Sequence, residues 1–202
     1  MPSPGRTVLP LPAVAARVEA AAPRAGSTRV VAIDGPAGSG KSTLAARLAP
    51  LVEAPVIHMD DLFPGWDGLA ASGHLLRDWV LEPLSRKEPA RYHRYDWHRE
   101  AYADWVDVPS SRTLIVEGCG SGSLAGRRYL SMLIWVDAPQ DVRMARGIAR
   151  DGETFRPHWE RWAAQEAELF AAERTAARAD LRVDGNPAVP HDPTHDIVVD
   201  AE

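Results

Sequence analysis

Gly35, Pro36, Ala37, Gly38, Ser39, Gly40, Lys41 and Ser42, with Thr43 following, spell G-x-x-x-x-G-K-[ST], the pattern of a phosphate-cradling loop. Glycines let the backbone turn tightly and aim its N–H groups at phosphate oxygens, and a helix N-terminus behind them adds positive partial charge. Lys41 would reach the β- and γ-phosphates, while the Ser42 hydroxyl would ligate Mg²⁺. Lysine is otherwise scarce: Lys41 and Lys87 stand against twenty-one arginines. These residues imply a nucleoside triphosphate.

Further groups could complete such a site. Asp60 and Asp61 follow the short apolar run Ala54-Pro55-Val56-Ile57-His58, and carboxylates at the carboxyl end of a strand sit where open α/β sheets bind ligands. Arg112-Thr113-Leu114-Ile115-Val116 ends in Glu117, a Walker B pattern whose acid organises Mg²⁺. Gly118, Gly120 and Gly122 make the following loop free to sit over a ligand, and Cys119 within it reads as a plain small residue. Arg143, Arg146 and Arg150 share one helical face, where they would cover the triphosphate and charge-stabilise the transferring group. The stretch from Arg91 through Tyr92, His93, Arg94, Tyr95, Asp96, Trp97 and His98 to Arg99 is aromatic and basic. Such residues stack on bases of single strands, line a small-molecule pocket, or form an amphipathic surface.

The positioning elements follow from periodicity. Arg29-Val30-Val31-Ala32-Ile33-Asp34 and Ser131-Met132-Leu133-Ile134-Trp135-Val136-Asp137 are short apolar runs of buried parallel strands. Residues 42 to 49 carry an apolar helical stripe, as do 74 to 86 (Leu75, Leu76, Trp79, Val80, Leu84) and 156 to 179 (Trp159, Trp162, Leu169, Phe170), where Pro157 suits a first turn. Residues 179 to 185 read as a last core strand, and Ile197-Val198-Val199 as an added edge strand. Residues 1 to 28, punctuated by Pro2, Pro4, Pro10, Pro12 and Pro23, are expected to be a loosely held extension on the edge of a domain covering 29 to 202, with room for a short helix over 13 to 22.

The 202 residues suit one α/β domain, at 45% hydrophobic and 25% charged. A net charge of −5 argues against a nucleic-acid partner. The single Cys119 excludes an intramolecular disulfide and fits a reducing compartment. No apolar run approaches a membrane span, and no signal-peptide core is present, so a soluble, cytoplasmic protein is expected.

With its motifs in order, the chain resembles the uridine kinase and nicotinamide riboside kinase group of P-loop kinases over about residues 29 to 186. The resemblance lies in Gly35 to Ser42, His58-Met59-Asp60-Asp61-Leu62-Phe63, Tyr95-Asp96-Trp97-His98, Ile115-Val116-Glu117-Gly118, the lid residues Val136-Asp137, Asp141, Arg143, Arg146 and Arg150-Asp151, and the late strand from Asp180 to Gly185. It implies a P-loop three-layer α/β sandwich, a parallel sheet of about five strands with helices on both faces and an arginine-bearing lid. It also implies ATP with Mg²⁺ as donor and a small hydroxyl acceptor, nucleoside-like. Asp60 would be the base near Mg²⁺; Asp61, Tyr95, Asp96, Trp97, His98 and Arg143 would face the acceptor; Arg146 and Arg150 would serve the nucleotide and lid. The chain departs from the family at Asp151-Gly152-Glu153-Thr154-Phe155-Arg156, where uridine kinases carry a second Arg-Gly-Arg cluster, with Arg156 as a partial replacement. Two other functions fit the residues: a nucleoside monophosphate kinase using Arg91, Arg94 and Arg99, and a non-kinase ATP-binding switch or ATPase linked to nucleic acid. A GTPase is disfavoured, because no Asn-Lys-x-Asp guanine motif occurs.

Overall fold

The computed structural model describes residues 5–152 and 156–201. Strand β1 (Arg6–Pro10) leads into helix α1 (Leu11–Ala20), and β2 (Arg29–Asp34) feeds the phosphate loop and α2 (Lys41–Leu48). Strand β3 (Val56–His58) is followed by α3 (Leu69–Leu76), a wide-turn segment (Arg77–Leu81) and α4 (Glu82–Ser85). A hairpin of β4 (Arg91–Asp96) and β5 (Ala101–Asp107) precedes β6 (Thr113–Glu117) and β7 (Met132–Asp137). Helices α5 (Gln140–Asp151), α6 (Arg156–Glu173) and α7 (Thr175–Arg178) then lead to β8 (Leu181–Asp184) and β9 (Asp196–Asp200). Glu153, Thr154 and Phe155, within the stretch that departs from the family's lid, lie outside the described residues, as do Met1 to Pro4.

Alternation of side chains along the central strands explains the layers. Val30 and Ala32 of β2 enter one core with Leu114 and Val116 of β6, while Val31 and Ile33 enter the other with Ile115. A strand apolar on both faces must be covered on both sides, and helices do this. Each fully buried Val, Leu or Ile contributes about 1.5–3 kcal/mol, so these strands carry much of the fold's stability.

The main sheet has seven strands in the order β1-β9-β8-β7-β2-β6-β3. The five from β8 to β3 run parallel, as the sequence predicts; β9 and β1 join antiparallel. Register aligns Glu117 with both Ile33 and His58. The ends of β2, β3 and β6 therefore meet at one edge.

Four expectations change. The N-terminal segment is not loosely held over its described part: β1 pairs with β9 from Arg6↔Asp200 to Pro10↔Asp196. Helix α1 buries Leu11, Val14, Ala15 and Val18, one face at helical spacing that joins the core beneath β2. The run at Ile197 to Val199 is therefore an interior strand, with β1 outside it. The helix expected over 74 to 86 starts at Leu69 and widens at Arg77–Leu81 before resuming. The long helix after Arg156 breaks at Arg174, whose φ of 51° is left-handed. Among the described residues, no helix is long and apolar enough to cross a membrane.

Candidate active site

Strand β2 lies between β6 and β7, so a crevice opens where the chain diverges past its carboxyl end. The phosphate loop fills this gap closely. A Cβ on Gly38 (φ 76°) would lie 2.3 Å from the Arg143 carbonyl oxygen, and one on Gly35 (φ 145°) 2.0 Å from that of Val136. No other residue type fits there. Gly40 begins α2 without a side-chain cap, and the unpaired N–H groups of such a helix end favour an anion. Lys41 is only 7% exposed, and its Nζ donates to the Pro36 carbonyl at 2.9 Å. Burial alone would lower its pKa, but the surrounding acidic groups, among them Glu166, Glu117 and Asp34, outweigh this and raise it. Lys41 thus stays an ammonium.

Opposite stands Asp60, in the tight turn Met59–Asp61 after β3. Asp60 is exposed and lines the cleft. Desolvation, then the Glu117 charge, raise its pKa, and Lys41, Arg150 and His58 pull it back. The Ser42 hydroxyl donates to Glu117, 3.1 Å from each carboxylate oxygen. His58 Nδ1 lies 2.5 Å from Glu117 Oε1, and this bond is the main cause of its raised pKa. Mg²⁺ prefers hard oxygen donors, typically one or two carboxylates completed by phosphate and water. The Ser42 hydroxyl and the Glu117 and Asp60 carboxylates meet that need.

Asp34, fully buried, binds the loops together from behind. Its carboxylate accepts N–H bonds from Gly35 (2.7 Å), Gly120 (2.9 Å) and Gly122 (2.9 Å). Burial outweighs these bonds and pushes its pKa from an ordinary 3.8 up to about 6. The folded state therefore holds this proton more tightly than the unfolded one. Its stabilising effect is full below pH 3.8 and is lost as pH rises through about 6. From this shift, denaturant titrations from pH 4 to pH 7 should show an Asp34-dependent fall of about 2 kcal/mol. An Asp34→Asn variant should lack that component, and an identical pH profile in the variant would refute the assignment.

The whole cleft is about 870 Å³ in volume, and beyond the phosphate loop and its acids it is walled by Phe63, Trp66, Trp97, His98, His158 and Trp162. His158 stacks on Trp66 with centroids 4.3 Å apart, and Trp97 and Trp162 meet Trp66 edgewise at 5.0 and 6.1 Å. The β4–β5 hairpin holds the Asp60 turn in place: Trp97 Nε1 donates to the Asp60 carbonyl (2.9 Å), Tyr102 to that of Leu62 (3.0 Å) and the Tyr92 hydroxyl to Asp61 (3.2 Å). Burial and the Asp61 carboxylate push Tyr92 up to about 12, so it remains a donor at neutral pH.

Among solved structures, a protein provisionally described as a uridine kinase from Bacillus stearothermophilus aligns at a TM-score of 0.57 and 20% identity, covering 77% of this chain and 88% of that one. One provisionally described as a fructose transport system kinase from Silicibacter sp. TM1040 aligns at 0.53 and 24% identity, covering 85% and 95%. The chain shares the fold of these two structures, a mostly parallel α/β sheet with a phosphate loop after β2. Cytidylate kinases of Haloarcula marismortui (30% identical over 127 residues) and Halobacterium salinarum (33% over 128) are similar in sequence. Each match covers 62% of this chain, and the chain spans about 60% of the length of these curated relatives. No protein-family model matches it.

On this fold, Ala37, Gly38, Gly40, Lys41, Ser42, Thr43, Asp60, Trp97, His98, Glu117, Arg146 and Arg150 all line one cleft. Gly35, Pro36 and Ser39 shape the loop from behind. Asp61 takes the Tyr92 bond, Tyr95 packs edgewise on Trp97 at 5.3 Å, and Asp96 accepts the N–H groups of His98 and Arg99. Arg143, expected at the acceptor, instead bonds the carbonyls of Ala138 (3.0 Å) and Ala37 (3.4 Å) behind the loop. A period of 3.6 defines a helical face but not the element it meets. The aromatic stretch divides: Trp97 and His98 reach the cleft, while His93 stacks outside it between Tyr102 and Trp105. Sequence reasoning missed Phe63, Trp66, Cys119, His158 and Trp162 as cleft residues. Helical spacing made Trp162 look like ordinary core; Phe63 ended the acidic motif and Cys119 lay in the glycine loop expected over a ligand, while no local signal marked Trp66 and His158.

Proposed function

We propose that this protein transfers the γ-phosphate of ATP to a hydroxyl of a small, nucleoside-like acceptor. The observation that carries the reading is one cleft lined by the Lys41 ammonium, the Asp60 carboxylate and a largely aromatic wall. In this reading Lys41 and the loop N–H groups hold the phosphates, and Arg146 and Arg150 cover them. Ser42 and Glu117, with Asp60 nearby, hold Mg²⁺, which would supply charge neutralisation. Asp60 accepts the acceptor's O–H proton as that oxygen bonds to the γ-phosphorus and the bond to ADP breaks. A carboxylate with a raised pKa suits that task, and phosphoryl transfer asks mainly for positioning and charge.

The similarity to cytidylate kinases favours a second reading, a nucleoside monophosphate acceptor. Such an acceptor needs cations on its own side of the cleft. The arginines available to that reading are otherwise engaged: Arg91 lies over Trp105, and Arg94 and Arg99 pair with Asp104 and Asp96. Among the described residues that line the cleft, the arginines are Arg146 and Arg150, both on α5. A panel of nucleosides, ribosides, sugar alcohols and nucleoside monophosphates, assayed with ATP and Mg²⁺, separates the two. An unphosphorylated acceptor is expected to lead in kcat/KM by about a hundredfold, the scale of about 3 kcal/mol for an unpaired buried charge. Preference for a monophosphate would overturn this reading, and salt-dependent oligonucleotide binding without transfer would point to the ATPase class.

A further inference from the structure

Glu166 lies on α6, 3% exposed and outside the lining of the cleft. Its Oε1 accepts from the Ala37 backbone N–H at 2.7 Å, the Trp162 indole N–H at 2.8 Å and the Cys119 thiol at 3.0 Å. Arg143 Nη1 lies 3.8 Å from Oε2. A buried carboxylate is costly unless hydrogen-bonded, and charge-assisted bonds are the strong ones. A well-packed apolar side chain would fill such a place at less cost. What the carboxylate adds is connection. Ala37 belongs to the phosphate loop, Trp162 to the aromatic wall, Cys119 to the loop after β6, and Arg143 to the helix bearing Arg146 and Arg150.

We infer that Glu166 is a positioning residue that ties the phosphate loop to the Trp162 wall, so that nucleotide affinity depends on a side chain in contact with no substrate. The inference rests on reading the cleft as an ATP site. Arg143 spans the same joint, from the Ala138 and Ala37 carbonyls to Glu166. Without the carboxylate, the Ala37 N–H and the indole N–H lose their acceptor in a dry environment, and the loop is free to turn that N–H elsewhere.

The test is the affinity of the full chain for the Mg²⁺ complex of a fluorescent N-methylanthraniloyl ADP, with no acceptor present. Glu166→Ala should weaken binding about tenfold, the scale of a lost hydrogen bond to a charged group. Glu166→Gln should recover to within about threefold of wild type, because an amide oxygen still accepts from Ala37. The exposed neighbour change Glu168→Ala should leave affinity unaltered. Should Glu166→Ala fail to fold, Trp162→Phe serves: it keeps the ring, removes one donor, and should weaken binding about threefold. Wild-type affinity in Glu166→Ala or, failing that, in Trp162→Phe would overturn the inference and leave the ATP-site reading standing, as would a Gln variant no better than Ala. A wild-type chain that binds no nucleotide would overturn both.

Discussion

Replacing Asp60 by Asn should lower kcat about a hundredfold to ten-thousandfold while leaving MgATP affinity within about threefold. Asparagine has nearly the shape of aspartate and cannot take a proton at neutral pH. The turn should survive the change, because the hairpin grips it through backbone oxygens: Trp97 holds the carbonyl of residue 60 and Tyr102 that of Leu62. Asp60 lies close to Glu117, whose charge raises its pKa, and to Lys41 and Arg150, which lower it. The variant thus removes one anion from a mixed field, and a small gain in nucleotide affinity is consistent with a loss of chemistry. Steady-state rates paired with equilibrium binding of a non-hydrolysable ATP analogue make the distinction. An Asn variant with unchanged kcat would remove Asp60 from the reaction.

Lys41→Met should cost about a hundredfold to a thousandfold in kcat/KM, the scale of deleting one preorganised charge clamp. It should also destabilise the fold. Lys41 is the buried ammonium whose charge offsets the nearby acids Glu166, Glu117 and Asp34, and leaving buried charge uncompensated costs about 3–5 kcal/mol. Its bond to the Pro36 carbonyl closes the loop onto the start of α2. A lower unfolding midpoint and a weaker nucleotide-induced stabilisation should therefore appear together in denaturant melts with and without MgADP. A variant of wild-type stability that still binds MgADP normally would show that the ammonium contacts neither the acids nor the phosphates as described.

Much of the phosphate-loop half of the cleft is legible along the chain because its parts are local. A tight loop, the strand before it and the helix after it occupy consecutive residues from Arg29 to Leu48, and parallel strands apolar on both faces mark themselves by composition. Asp60 and Glu117 could be named because a strand's carboxyl end is a position readable from sequence. The aromatic half is less legible in this way. Trp97 belongs to the aromatic stretch already singled out in the sequence, but Trp66 and Trp162, which join it from distant segments, each look like core or surface. Glu166 gives still less sign of its place: a charged residue amid a helix reads as solvated, yet it meets Ala37 across 129 positions of chain.

The N-terminal segment teaches the same lesson in reverse. The spacing of Leu11, Val14, Ala15 and Val18 is present in the sequence, but the prolines around it suggest a loose arm. Pairing of Arg6 with Asp200 turns it into part of the sheet. Periodicity and motif spacing by themselves marked the apolar strands, the phosphate loop and the acids that follow β3 and β6, since hydrogen-bond geometry and side-chain alternation act over a few residues; the five-stranded parallel core came from the family resemblance. The tertiary structure alone decided which residues close the aromatic wall around Trp97 and His98, the Glu166 joint and the burial of the N-terminal strand and helix, because those contacts form only where packing brings remote segments within hydrogen-bonding or van der Waals reach.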